Sequence, residues 1–156
     1  IITDKMPLNF RWIGMILSAF PEAKIIHTKR DPMATCWSIY KRYFFFRGNG
    51  YAYDLGDVAE YYRLYADLMA FWHQKYPNAI YDVCYERLTE NQEEETRKLL
   101  EFCDLEWQEE CLNFHKTKRL VKTISATQVR REMYRGSSEA WRKFERHLQP
   151  LAKALG

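Results

Sequence analysis

Glycine and proline are scarce in this chain, with 6 Gly and 5 Pro among 156 residues. That scarcity excludes collagen-like sequence and low-complexity linkers. No run approaches the ~20 apolar residues that a membrane-spanning helix needs. The four cysteines, Cys36, Cys84, Cys103 and Cys111, include no CxxC pair, so neither a zinc ribbon nor a dithiol redox motif is expected. Their apolar surroundings predict reduced, buried thiols, and with them a cytoplasmic setting. His27, His73, His115 and His147 show no ligand spacing, and no metal is expected. A strong charge of one sign is lacking too: the net charge is +3, a weak pull on polyanions, and no nucleic-acid partner is expected. The opening IITDKMPLNF has neither a basic n-region nor an apolar h-region, so no signal peptide is expected. It does not begin with Met, and the expectation is a piece of a longer chain.

What is present is a globular composition with a heavy aromatic load. Hydrophobic residues are 47% and aromatics 16%, with 11 Tyr, 9 Phe and 5 Trp. Such side chains need a core or a ligand to stack on. Charge is segregated. Residues 90–110 are acidic, while 116–135 carry Lys116, Lys118, Arg119, Lys122, Arg130, Arg131 and Arg135 against Glu132 alone. Thr123, Ser125, Thr127 and Ser137 lie among or beside those cations, and hydroxyls beside cations suit phosphate oxygens.

Hydrophobic periodicity places a helix over 8–20, with Leu8, Trp12, Met15, Ile16 and Ala19 on its inner stripe. Residues 23–30 read as a short buried strand. Asp31-Pro32 then opens a helix running to about Phe45. Asp57 is expected to cap a helix over 57–76 whose inner side holds Val58, Tyr61, Tyr62, Tyr65, Leu68, Met69 and Trp72. A second strand is expected over 79–88. A helix over 90–103 follows, opened by Thr89 with Glu93, then a short helix over 107–114, an irregular stretch over 116–137, and a last helix from Ser138 to about Leu155. Ile1–Thr3 is a candidate third strand. The rhythm is that of an α/β fold with a parallel sheet flanked by helices. So few strands among so many helices make it an incomplete, helix-rich part of such a fold.

The informative stretch is HTKRDPMATCWSIYKRY, residues 27–43. A strand delivers Arg30 at its carboxyl end, where open α/β sheets bind ligands. A helix N-terminus follows, which attracts anions through its free amides and dipole. Ser38 and Arg42 stand at i and i+4 on that helix. Arg30, Ser38 and Arg42 converging on one phosphate is one reading; an arginine paired with Asp31 and an unrelated serine is the other.

Here the sequence resembles the sulfotransferases that use 3′-phosphoadenylyl sulfate (PAPS). Arg30, seven residues and Ser38 resemble the family's 3′-phosphate motif. TDKMPLNF (3–10) and FPEAKIIH (20–27) are similar to the segment before it in the bacterial and tyrosylprotein branches. Tyr85-Glu86-Arg87-Leu88 is similar to the family's Tyr-Glu-x-Leu, and VKTISATQVRREMYRGSSEAWRKFERHLQPL (121–151) to its C-terminal segment. The resemblance implies a P-loop-like sheet, with residues 1–156 as the C-terminal part of one sulfotransferase domain. It implies that Arg30 and Ser38, helped by Arg42, bind the 3′-phosphate. Tyr85 would contact the adenine, Ser125 would lie in the nucleotide pocket, and Arg135 and Gly136 would complete the phosphate contacts. Trp141 would anchor the last helix. Lys5 takes the catalytic position, where an ammonium would stabilise charge building on the leaving nucleotide's bridging oxygen. PAPS would be the donor, PAP the product, and the acceptor a small-molecule, carbohydrate or peptide hydroxyl or amine. The family's 5′-phosphosulfate loop, a Gly-x-Pro-Arg-Ser-Gly-Thr-like turn, does not occur in these residues. The missing N-terminal part of the same protein would therefore be a partner, and the chain alone would be inactive. Two other readings stay open: a kinase-like nucleotide-dependent transferase, and a non-catalytic interaction domain using the aromatic face of 57–76.

Overall fold

The structure is a computed structural model that describes residues 1–45, 48–116 and 132–156. After 3-10 turns over Pro7–Trp12, helix α1 spans Ile13–Ala19. Strand β1 is Ile25–Lys29 and helix α2 Pro32–Tyr40. The long helix α3, Leu55–Lys75, leads to strand β2, Ile80–Cys84. Helix α4 (Tyr85–Glu90) and helix α5 (Gln92–Phe102) follow. The chain closes with 3-10 turns over Ser137–His147 and helix α6, Gln149–Leu155.

Local chemistry explains most of these boundaries. Asp31 caps α2, its carboxylate accepting the Ala34 N–H at 2.7 Å, and Pro32 takes the first helical position. The cap of α3 is Asp54, not Asp57: it accepts from Gly56 N–H at 2.7 Å and Asp57 N–H at 3.0 Å. Helix α5 ends in a Schellman motif. Leu105 N–H donates to Leu100 O and Asp104 N–H to Glu101 O, with Asp104 at φ 55°.

β1 and β2 pair in parallel, with Ile25 opposite Ile80 and His27 opposite Asp82. Helices α2 and α3 form the crossover between them, as a parallel pair requires. Helix α3 runs between two cores. One gathers Cys36, Val58, Ala59, Leu148 and Leu151, with Trp141 packed against it. The other gathers Ile13, Leu17, Met69 and Ile80. Tyr62, Tyr65 and Trp72 pack into these cores, so most of the aromatic side of α3 is interior, as its periodicity predicts.

Further expectations are corrected, and α2 ends at Tyr40 rather than near Phe45. The inner stripe of α1 is Ile13 and Leu17; Trp12 and Met15 are exposed. The 3-10 turns advance three residues per turn, which shifts the helical phase. Ile1–Thr3 forms no strand, and Ile1 and Ile2 are fully exposed. Residues 85–88 belong to α4 rather than to β2, and Thr89 donates back to Glu86 O instead of capping α5. The last helical region splits into 3-10 turns and α6, with the break just before Pro150. All four thiols are free; Cys36 is buried and the other three partly so. No described helix is long and apolar enough to cross a membrane.

Candidate functional site

Arg30 lies one residue beyond β1, half-buried where the strand hands over to α2. Its guanidinium is held from two sides. The Tyr85 ring lies beneath it, 5.0 Å from the guanidinium carbon to the ring centroid, a cation–π contact. Its Nε donates to Ser138 Oγ at 3.0 Å and one Nη to Ser137 Oγ at 3.3 Å. Ser137 Oγ in turn donates to the Tyr85 hydroxyl at 3.1 Å. Among the described residues Arg30 makes no ion pair. Asp31, the rival partner in sequence, is occupied as the cap of α2.

Glu86 anchors the other side of this cluster. It accepts from Ser138 Oγ, from the Asp31 N–H at 3.2 Å and from the Cys84 thiol at 3.7 Å. Burial pushes its carboxyl up, but these hydrogen bonds outweigh burial and hold it below the usual range. Ser138, itself buried, thus joins a cation to a carboxylate. Gly136, at φ 82°, turns the chain into these serines. A Cβ there would meet nothing within 4 Å, so the glycine answers to the left-handed backbone and not to crowding.

The remaining expected residues are placed less closely. Ser38 lies half-buried in the second turn of α2. Arg42 falls beyond the end of α2 and is exposed, so it shares no helix face with Ser38. The α2 N-terminus is capped by Asp31 and does not present all its amides to an anion. Arg135 reaches Glu90 O at 2.8 Å, which ties the C-terminal segment to α4. Lys5 is exposed. Ser125, with most of the basic run, lies outside the described residues.

Sequence reasoning missed two things. Ser138 and Glu86 form the link beside Arg30, and its signals were the GSS run after Arg135 and the Glu of the Tyr85-Glu86-Arg87-Leu88 motif. The histidines also hold a surprise. His27 Nδ1 lies 2.7 Å, and His73 Nε2 3.0 Å, from the same Asp82 oxygen. Their sequence spacing hides this, because the parallel register sets His27 opposite Asp82 and α3 delivers His73. The available signal was a polar residue in the middle of each apolar strand.

Comparison with known proteins bears on the whole chain. The sulfotransferase family matches residues 1–109. An uncharacterized protein of Aquifex aeolicus (strain VF5) is 43% identical over 156 residues, covering 99% of this chain and 20% of that protein. A protein-tyrosine sulfotransferase of Drosophila melanogaster is 28% identical over 116 residues, covering 72% of this chain and 22% of that protein. The chain thus spans about a fifth of the length of each of these relatives.

Proposed function

The chain belongs to the sulfotransferase family, and we propose that it forms the adenosine and 3′-phosphate half of a PAPS site used for sulfuryl transfer to a hydroxyl or amine. The observation that carries this reading is Arg30, a half-buried guanidinium gripped by Tyr85, Ser137 and Ser138 with no described ion-pair partner. A partly desolvated cation with no carboxylate in direct contact gains from a bound anion. A phosphate dianion supplies the missing charge and matches the guanidinium fork.

The residues fit such a donor. Tyr85 holds the Arg30 plane, and the two serine hydroxyls fix its rotation. Once an anion is present Ser137 can turn its hydroxyl proton from Tyr85 to it, because a hydroxyl both donates and accepts, while Ser138 keeps its proton on Glu86. Glu86 keeps Ser138 in place and stays ionised there, which limits the site to ligands whose charge faces Arg30 rather than the carboxylate. Ser38 and Arg42 add donors from and beyond α2, and Arg135 and Gly136 position the serine turn. PAPS itself supplies the activated sulfuryl group. Lys5 is the cation proposed for the leaving oxygen. The domain reading belongs here as well: residues 1–156 form the C-terminal part of one P-loop-like sulfotransferase domain. The 5′-phosphosulfate loop that these residues lack comes from upstream. The relative named as a protein-tyrosine sulfotransferase supports a hydroxyl acceptor.

Calorimetric titration tests the reading. PAP should bind to the protein and ATP should not, because the 3′-phosphate is the recognised group. Arg30→Ala should weaken PAP by about 10- to 100-fold, the 1.5–3 kcal/mol of hydrogen bonds to a charged group. Equal binding of PAP and ATP, or PAP binding indifferent to Arg30→Ala, overturns it.

A further inference from the structure

On one face of the sheet lies a cavity of about 270 Å³ lined by His27, Lys29, Tyr65, Met69, His73 and Asp82 among others. We propose that His27, His73 and Asp82 form a divalent transition-metal site of the zinc class, which fastens the last turn of α3 to both strands. The proposal rests on this geometry alone and does not depend on the donor reading.

The donor set is two imidazoles and one carboxylate, and their ligand atoms all lie within 4.8 Å of one another. Tetrahedral zinc with bonds of about 2.0–2.2 Å holds its ligand atoms roughly 3.3 Å apart. His27 Nδ1 and His73 Nε2 stand 2.7 Å and 3.0 Å from Asp82 Oδ1. Opening these two contacts by about 0.6 Å and 0.3 Å would bring them to that spacing. The adjoining cavity leaves room for water in the fourth position, since a water needs only about one probe sphere of space.

The support around the ligands also fits. His27 Nε2 is hydrogen-bonded to the Tyr65 hydroxyl. A ligating imidazole characteristically uses its second nitrogen in this way, which fixes the ring and its tautomer. With Nδ1 on the metal, Nε2–H donates to the Tyr65 oxygen. Two of the ligands are fixed by strand register, and the third comes from a helix end. The ligands are therefore held by rigid elements rather than loops. Lys29 also lines the cavity and opposes a cation, but its flexible stem allows the ammonium to turn to water.

Zinc chloride titrated into chelator-treated protein tests the site, read by calorimetry and by the thermal midpoint. Wild type should take up one equivalent with a rise in midpoint. His73→Gln, at a partly exposed helix position, and the isosteric Asp82→Asn should each weaken binding by about 10- to 100-fold or more, the loss seen for even indirect metal partners. Tyr65→Phe should weaken it by a smaller factor. The four free thiols are the competing ligands, so Co²⁺ is the second probe: the proposed site gives a spectrum without thiolate-to-metal charge transfer. Circular dichroism checks that the variants are folded, and His73→Gln alone decides the matter if Asp82→Asn is not. No saturable uptake by wild type, uptake unchanged in His73→Gln, or a thiolate spectrum overturns the proposal.

Discussion

Glu86 has two jobs that pull its carboxyl in opposite directions. Burial raises its pKa, while hydrogen bonds from Ser138, the Asp31 amide and the Cys84 thiol lower it, and the lowering prevails. A carboxyl whose folded value lies below its unfolded value stabilises the fold at pH above the unfolded value. That contribution is lost as pH falls through the folded value. Wild type should therefore lose stability on acidification below about pH 4.3, the ordinary glutamate value. Glu86→Gln should flatten this part of the profile, and at pH 7 should cost about 1–3 kcal/mol, because the Ser138, Asp31 and Cys84 donors face a weaker acceptor. Urea midpoints at pH 7 and pH 3 measure both effects; parallel profiles for wild type and variant would refute the assignment. At this scale the strand-end place of Arg30 was legible, because an apolar strand running into Asp31-Pro32 marks it. The contacts of Ser138 with Arg30 and with Glu86 were not, because they span 108 and 52 residues of sequence.

Among the elements, the misread ends are as informative as the correct centres. Asp54 and Asp57 both look like caps for α3, and only the backbone separates them. Asp54 is extended, at φ −129° and ψ 138°, and accepts two N–H groups, whereas Asp57 lies inside the first turn. Asp54→Ala should cost about 1 kcal/mol, a typical cap loss. Asp57→Ala should cost only about 0.3–1 kcal/mol, through the helix dipole. Thermal melts of the two variants distinguish them, and the reverse order would return the cap to Asp57. The phase of α1 was illegible for a related reason, since a sequence carries no mark of where 3-10 turns become α-helix. Between Ile13 and Leu17, Gly14 faces Trp72. A Cβ at Gly14 would come within 2.8 Å of that ring, which is itself pinned by its Nε1–H donating to Phe10 O at 2.8 Å. Gly14→Ala should cost about 1–3 kcal/mol by overpacking.

For the molecule as a whole, the α/β rhythm and the parallel pairing were legible, because a strand, a crossover and a second strand admit few arrangements. The division of labour along α3 was not. Its Val58 end packs with Leu151 of α6, and its Met69 end packs with Ile13 and Leu17 of α1. The first core borders the Arg30 site, because the turns carrying Ser137 and Ser138 run directly into α6. Leu151 is fully buried there. Leu151→Ala should cost about 2–5 kcal/mol. It should also weaken PAP binding, because the serine turn loses the anchor that holds it against Arg30. Gly14→Ala disturbs the other core, and PAP affinity should survive it at temperatures where the variant is folded. Calorimetric titration of PAP, paired with urea melts of both variants, separates the two cores. Equal losses of affinity in the two would mean that the site depends on overall stability and not on the Leu151 core.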